Sequence, residues 1–169
     1  MPSEQLPHTV LTWTDVDRLI NYLIPKFDRE FNAMVMVTRG GIIPGGLLAE
    51  AMDITHVLTA AVDFPAEIEN ETNKLMAWPQ FIQFPAEEQL RGYSTLIVDD
   101  VWGSGRHITA VKNRVLAAGG DPETCVLHFN PYRTLFGKAR PDYYADVTDK
   151  FVLYPWEIDR RHGNSKVLL

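Results

Sequence analysis

Residues 95–107 read TLIVDDVWGSGRH. The run begins as a short apolar strand, sets Asp99 beside Asp100 where that strand is expected to end, and turns through Gly103 and Gly105 into a helical pattern. Adjacent carboxylates repel and add nothing to a core, so a partner bearing positive charge or several hydroxyls is expected to meet them. The two glycines let the backbone turn tightly at a helix start with its N–H groups directed inward, which makes a cradle for an anion such as phosphate. Ser104 adds a hydroxyl donor and Arg106 a charge. Acids and cradle together suit a ligand with a phosphate at one end and vicinal hydroxyls or a magnesium ion nearby, as in ribose 5-phosphate chemistry. The bland alternative is one turn-capping acid beside one solvated acid.

Outward from this stretch, strands alternate with helices. AMVMVT (33–38) reads as a buried strand broken by RGG at 39–41, and the stretch from Ile43 to Met52, with PGGLLAEAM, reads as a helix. HVLTAAV (56–62) is a further strand. Upstream, Val16, Leu19, Ile20, Leu23, Ile24 and Phe27 follow helical spacing, with Thr14 and Asp17 as a capping box and Pro25 as the kink or stop. Downstream, Ile108, Val111 and Val115 share a helical face that Gly119 ends. TCVLHF (124–129) and KFVLYPW (150–156) supply later strands. Residues 63–90 lack any sustained period and read as an excursion, either a loop or a ragged hairpin. The pattern predicts an α/β domain with a mostly parallel central sheet, spanning residues 1–169 as one unit with a loose start and a tail at 158–169.

The chain of 169 residues is 46% hydrophobic and 22% charged, with a net charge of −6 that speaks against a broad nucleic-acid footprint. Cys125 is the only cysteine, so no internal disulfide forms and the thiol is expected to be a small buried group in a reducing compartment. Neither a signal-peptide pattern nor a membrane-length apolar run is present, which makes cytoplasmic the expected location.

TRGGIIPGG, at residues 38–46, repeats the strand-end cradle: Arg39, Gly40 and Gly41 are placed to receive a second anion. Two anion sites at strand ends of one small domain point to one ligand with phosphates at both ends, namely phosphoribosyl pyrophosphate.

With those residues in view, VDDVWGSGRH resembles the phosphoribosyl-pyrophosphate motif of type I phosphoribosyltransferases. VTRGGIIPGGLLA (37–49) resembles their pyrophosphate loop, and DKFVLYPWE (149–157) is similar to the base-binding segment of the purine salvage branch, the xanthine, guanine and hypoxanthine enzymes. The resemblance covers roughly residues 33–157, with the excursion where that family has its mobile catalytic loop. It implies a type I phosphoribosyltransferase-like fold: a central sheet flanked by helices, with a small hood. It also implies transfer from phosphoribosyl pyrophosphate to a purine-type base with Mg²⁺ as cofactor, and a homodimer or homotetramer; the acidic balance and the lack of a membrane-length run add the expectation of no nucleic-acid or membrane partner. By the same resemblance Asp99 and Asp100 hold the ribose hydroxyls and Mg²⁺, and Gly103, Ser104, Gly105, Arg106 and His107 hold the 5-phosphate. Arg39, Gly40 and Gly41 hold pyrophosphate, with a cis peptide expected before a glycine. Phe151 stacks on the base and the Val152 backbone bonds its edge, with Asn130 and Trp102 near the base. Glu157 or Asp159 helps the metal indirectly, and Lys74 reaches pyrophosphate from the excursion.

The chain departs from the family pattern at four of these positions. Gly103 stands where purine enzymes usually carry an acid, Asn130 lies where a lysine is usual, His107 replaces a threonine, and Trp102 is bulkier than the usual aliphatic residue. A non-catalytic sensor of phosphoribosyl pyrophosphate or a nucleotide is therefore the competing expectation. A receiver-like phosphoacceptor domain fails on placement, because its acid pair belongs near the first strand.

Overall fold

The computed structural model describes residues 8–64, 78–135, 137–159 and 164–165. Strand β1 is His8–Val10, β2 Ala33–Val37, β3 Val57–Asp63, β4 Gln80–Gln83 and β5 Ser94–Trp102. They are followed by β6 Asp121–Phe129, β7 Tyr143–Val147, β8 Phe151–Leu153, β9 Ile158–Asp159 and β10 Asn164–Ser165. Six of them form one sheet in the order β4-β3-β2-β5-β6-β7. Every pairing in it is parallel except β3 with β4. Parallel strands need helical crossovers, which cover both faces, and this is why β2 is buried at all five positions and reads as a continuous apolar run.

Helices α1 (Trp13–Leu23) and α2 (Ile42–Ala51) cover one face, where Val16, Ile20, Leu23 and Leu48 pack against Met34, Met36, Leu96 and Val98. Helix α3 (Arg106–Ala117) covers the other, placing Ile108, Val111 and Val115 on Val35, Ile97 and Val126. The doubly covered α/β sheet is the expected architecture. Cys125 is fully buried in it, and burial pushes its thiol far up from the usual range, so it is a packing group. Among the described residues no helix is long and apolar enough to cross a membrane.

Several local expectations are corrected. The capping box of α1 is Thr12 with Asp15, not Thr14 with Asp17: Thr12 Oγ1 accepts the Asp15 N–H at 3.2 Å and Asp15 Oδ2 accepts the Thr12 N–H at 2.8 Å. Both Thr-x-x-Asp pairs fit the spacing. Tertiary packing selects the earlier one, because Leu11 just before the cap and Val16 one turn inside join the same core. Thr12→Ala is expected to lower stability by about 1 kcal/mol and Thr14→Ala by much less, as thermal unfolding would read. Pro25 ends α1 as expected, in a 3₁₀ turn at Ile24–Lys26.

Strand β5 does not stop at the acids. Its ladder with β6 runs on through Val101↔His128 and Trp102↔Phe129. The usual alternation also inverts there: Leu96 and Val98 face one core and Ile97 the other, yet Trp102 lies with Ile97. Burial of the indole on the α3 side draws the chain onward as strand. The excursion begins and ends as a hairpin, with Ala61↔Gln83 and Asp63↔Gln80 paired across a bulge at Ala61/Val62. Residues 65–77, and Lys74 with them, lie outside the described residues.

The small hood that was expected corresponds to a separate parallel pair, β1 with β8, in the register His8↔Phe151, Thr9↔Val152 and Val10↔Leu153. The start expected to be loose thus supplies a strand. In the tail, β9 and β10 pair antiparallel, Asp159 with Asn164.

Candidate functional site

The site lies at the carboxyl ends of β2 and β5, where open α/β sheets bind ligands. Asp99 and Asp100 line an open hollow of about 270 Å³ together with Val101 and residues 103–108. Asp99 Oδ1 accepts the Asp100 N–H at 2.9 Å, and Asp100 Oδ1 accepts the Val101 N–H at 2.7 Å. Burial, and then the charge of Asp100, lifts Asp99 well above the usual carboxylate range. Burial, and then the charge of Glu157, raises Asp100 to about 6. Among the described residues neither carboxyl has a cationic partner. Two desolvated acids without a counter-charge cost stability, an arrangement that clusters at ligand-binding sites.

The carboxyl pair fits a hard divalent cation such as Mg²⁺, which takes one or two carboxylates and completes its shell with water and substrate oxygens. The described residues contain no group of three or more acid, His or Cys side chains around one point, so an all-protein metal cage is not what this geometry offers.

The loop after β5 is held from both sides. Gly105 has φ of 78°, and a Cβ there would lie 2.4 Å from the Trp102 indole, so glycine is required twice over. Trp102 is 4% exposed and packs edge-on against Phe129, with Nε1 donating to Thr134 Oγ1 at 3.3 Å. The indole packs in the core against the glycine loop. Gly103 differs: a Cβ there meets nothing within 4 Å. Gly103→Ala is expected to change stability by less than about 0.5 kcal/mol, whereas Gly105→Ala lowers it clearly; paired denaturant titrations check this.

Ser104 Oγ accepts the Arg106 N–H at 3.4 Å. The Arg106 guanidinium lies 4.0 Å over the ring of Phe64, and its buried Nη2 has no hydrogen-bond partner among the described residues. A buried guanidinium nitrogen left unsatisfied at the mouth of an anion cradle is a donor suited to phosphate. His107 meets the same Phe64 ring edge-on at 5.1 Å, and burial, with Arg106 second, holds its imidazole below the usual range.

The Arg39–Gly41 turn abuts the acids. The Thr38–Arg39 peptide is cis, one residue earlier than the bond before a glycine that was expected. A Cβ on Gly40 would sit 2.5 Å from the Asp100 carboxyl carbon, and one on Gly41 would sit 2.1 Å from the Val98 carbonyl oxygen. The Gly41 N–H donates to the Val37 carbonyl at 2.8 Å, fixing the turn, and the Arg39 side chain stays exposed.

The segment expected to meet the base is β8. Phe151 is 40% exposed, with the Arg133 guanidinium 4.6 Å over its ring, while Val152 is half-buried against the α1 side of the core. Asn130 is buried; its Oδ1 accepts the Tyr132 N–H at 3.1 Å, and its own N–H donates to the Trp102 carbonyl at 2.9 Å, so the side chain shapes a turn. Glu157 Oε2 accepts the Tyr154 N–H at 2.7 Å, and its charge reaches Asp100.

Sequence reasoning missed Phe64, Arg133, His128 and Tyr154. Phe64 and Arg133 carried a faint signal as an aromatic and a cation beside strand ends. Tyr154 and His128 carried none, because their pairing depends on how the hood meets the sheet.

No family model matches the chain. It is 27% identical over 167 residues to the xanthine-guanine phosphoribosyltransferase of Cereibacter sphaeroides, an alignment covering 92% of each chain. The solved purine phosphoribosyltransferase of Pyrococcus horikoshii superposes with a TM-score of 0.75 at 28% identity, covering 88% of this chain and 93% of that one. The xanthine-guanine-hypoxanthine phosphoribosyltransferase of Helicobacter pylori gives a TM-score of 0.75 at 15% identity over 92% and 97% of the two chains, a likeness of fold.

Proposed function

We propose, for a chain that has the type I phosphoribosyltransferase fold and is a homologue of xanthine-guanine phosphoribosyltransferase, that it joins a purine base (xanthine, guanine or hypoxanthine) to C1 of phosphoribosyl pyrophosphate and releases pyrophosphate. One observation carries the reading: the acid pair and the glycine loop line one hollow, and the Arg39–Gly41 turn adjoins it through Gly40 at the Asp100 carboxyl, which puts a pyrophosphate cradle beside a hydroxyl- or metal-binding acid pair. A ligand with phosphates at both ends of a ribose spans those three parts.

The glycine loop and Arg106 hold the 5-phosphate and fix the sugar. The Arg39–Gly41 turn supports the charge that builds on the leaving pyrophosphate as the C1–O bond breaks. Asp99 and Asp100 take the ribose hydroxyls, and their negative charge favours the positive charge that develops on the sugar ring. Asp99 and Asp100 would hold a Mg²⁺ ion, which would supply positive charge to offset that of the departing pyrophosphate. Phe151 offers a flat apolar face to the base, and alignment of base and sugar supplies much of the acceleration. With Gly103 in place of an acid, the base proton passes to water.

We expect a cytoplasmic homodimer or homotetramer. The metal requirement is checked by titration calorimetry: phosphoribosyl pyrophosphate binds in millimolar Mg²⁺ and loses at least tenfold in affinity when a chelator removes it. Equal binding with and without metal contradicts the role given to the acids.

A further inference from the structure

Tyr154 is 1% exposed and His128 6% exposed, and neither side chain touches the hollow. The Tyr154 hydroxyl lies 3.0 Å from the backbone carbonyl oxygen of Asp100 and 2.8 Å from His128 Nδ1. The carbonyl can only accept, so the single hydroxyl proton is committed to it. His128 must then supply its own Nδ1–H to the phenol oxygen, which fixes the neutral tautomer protonated at Nδ1. Burial holds the His128 imidazole below its usual range, and burial pushes the Tyr154 phenol well above its own, so both stay neutral.

The relay joins parts that are separate in the fold. Tyr154 directly follows β8, the hood strand that carries Phe151 and Val152, and its ring stacks on Trp156 at 4.6 Å and 5°. His128 sits on β6, in register with Val101. Asp100 is the residue whose carboxyl presses on Gly40. The β5–β6 register passes from Asp99↔Val126 to Val101↔His128, and at the residue between them the Tyr154 hydroxyl donates to the Asp100 carbonyl from the hood.

We infer that Tyr154, oriented by His128, is a positioning residue that sets the Asp100 peptide and thereby the grip of the acid pair on phosphoribosyl pyrophosphate. The inference rests on the proposed transferase reading. Tyr154→Phe keeps the ring, the stacking and the volume and removes one oxygen. Unpinning the Asp100 peptide raises the KM for phosphoribosyl pyrophosphate about tenfold, with a smaller change in the KM for the base. Mere destabilisation would lower the amount of folded enzyme and leave both KM values alone.

His128 supplies the second arm, in case Tyr154→Phe does not fold. His128→Asn keeps a donor near the Nδ1 position and holds the KM near the native value. His128→Leu removes that donor and shifts the KM in the same direction as Tyr154→Phe. A native protein that transfers ribose 5-phosphate, with folded Tyr154→Phe inside twofold of it for both substrates, overturns the inference alone. So do His128→Leu and His128→Asn with equal KM values. A native protein that transfers nothing to any purine overturns the transferase reading and the inference with it.

Discussion

Asp100→Asn is expected to cut kcat/KM by about 10²–10³-fold and, at pH 7 without ligand, to leave the protein more stable than the native sequence. The carboxyl is raised to about 6 by burial and by Glu157, against roughly 3.9 in an unfolded chain. A raised acid stabilises the fold fully below the unfolded value, and that contribution is lost as pH climbs through the folded one. At pH 7 the native site therefore holds an acid whose ionised form the fold disfavours. The amide is neutral and keeps an oxygen for the Val101 N–H, which Asp100 Oδ1 now accepts at 2.7 Å.

Relief of about 1–3 kcal/mol follows from a shift of that size, read as a melting temperature higher by a few degrees. The native protein should lose stability from pH 4 to pH 7 by this route, and the variant should lose less. Asp142, held below the usual range by Lys112 and Thr124 against a burial effect of opposite sign, works the other way as pH falls, which confines the test to this window. A variant both inactive and less stable would mean that Asp100 serves the fold.

Gly41→Ala has the largest expected effect on folding. Its Cβ would lie 2.1 Å from the Val98 carbonyl oxygen and 2.8 and 2.9 Å from the Val37 carbonyl oxygen and nitrogen. These are backbone atoms of β2 and β5, the two central strands, and neither can retreat without breaking the sheet. A loss of about 3 kcal/mol or more is expected, at the upper end of overpacking costs. Gly46→Ala, where a Cβ meets nothing within 4 Å, is the control and should be close to neutral. Equal melting temperatures for the two variants would contradict the close approach of the Arg39–Gly41 turn to β5. Gly40→Ala is intermediate in kind: its Cβ would press first on the Asp100 carboxyl, a side chain and not strand backbone, so the fold should survive while transfer fails.

What the sequence made legible follows from how local each feature is. The strands around 33–38 and 95–99 are apolar runs bounded by Gly, and α1 and α3 repeat at 3.6 residues, so their existence was readable from spacing alone. The extension of β5 to Trp102 was not, because two acids in a row look like a strand end, and only the indole's burial against Phe129 shows why the ladder continues. Thr12 and Thr14 offered equal caps, and the choice between them is made by Leu11 and Val16 packing in the core.

The acids, the glycine loop and the Arg39 turn were readable as separate cradles. Their meeting at one sheet edge, with Gly40 against Asp100, is a product of the parallel β2–β5 pairing. Phe64 under Arg106 depends on the same tertiary assembly, since residue 64 follows β3, two strands away from β5.

The most direct measurement is pyrophosphate release from phosphoribosyl pyrophosphate and Mg²⁺ in the presence of xanthine, guanine, hypoxanthine, adenine, uracil or orotate in turn. The expected result is release that needs a 6-oxopurine, fails with the pyrimidines, and disappears in folded Asp100→Asn. No release with any base, together with tight Mg²⁺-dependent binding of phosphoribosyl pyrophosphate, would contradict the transferase and leave a sensor in its place.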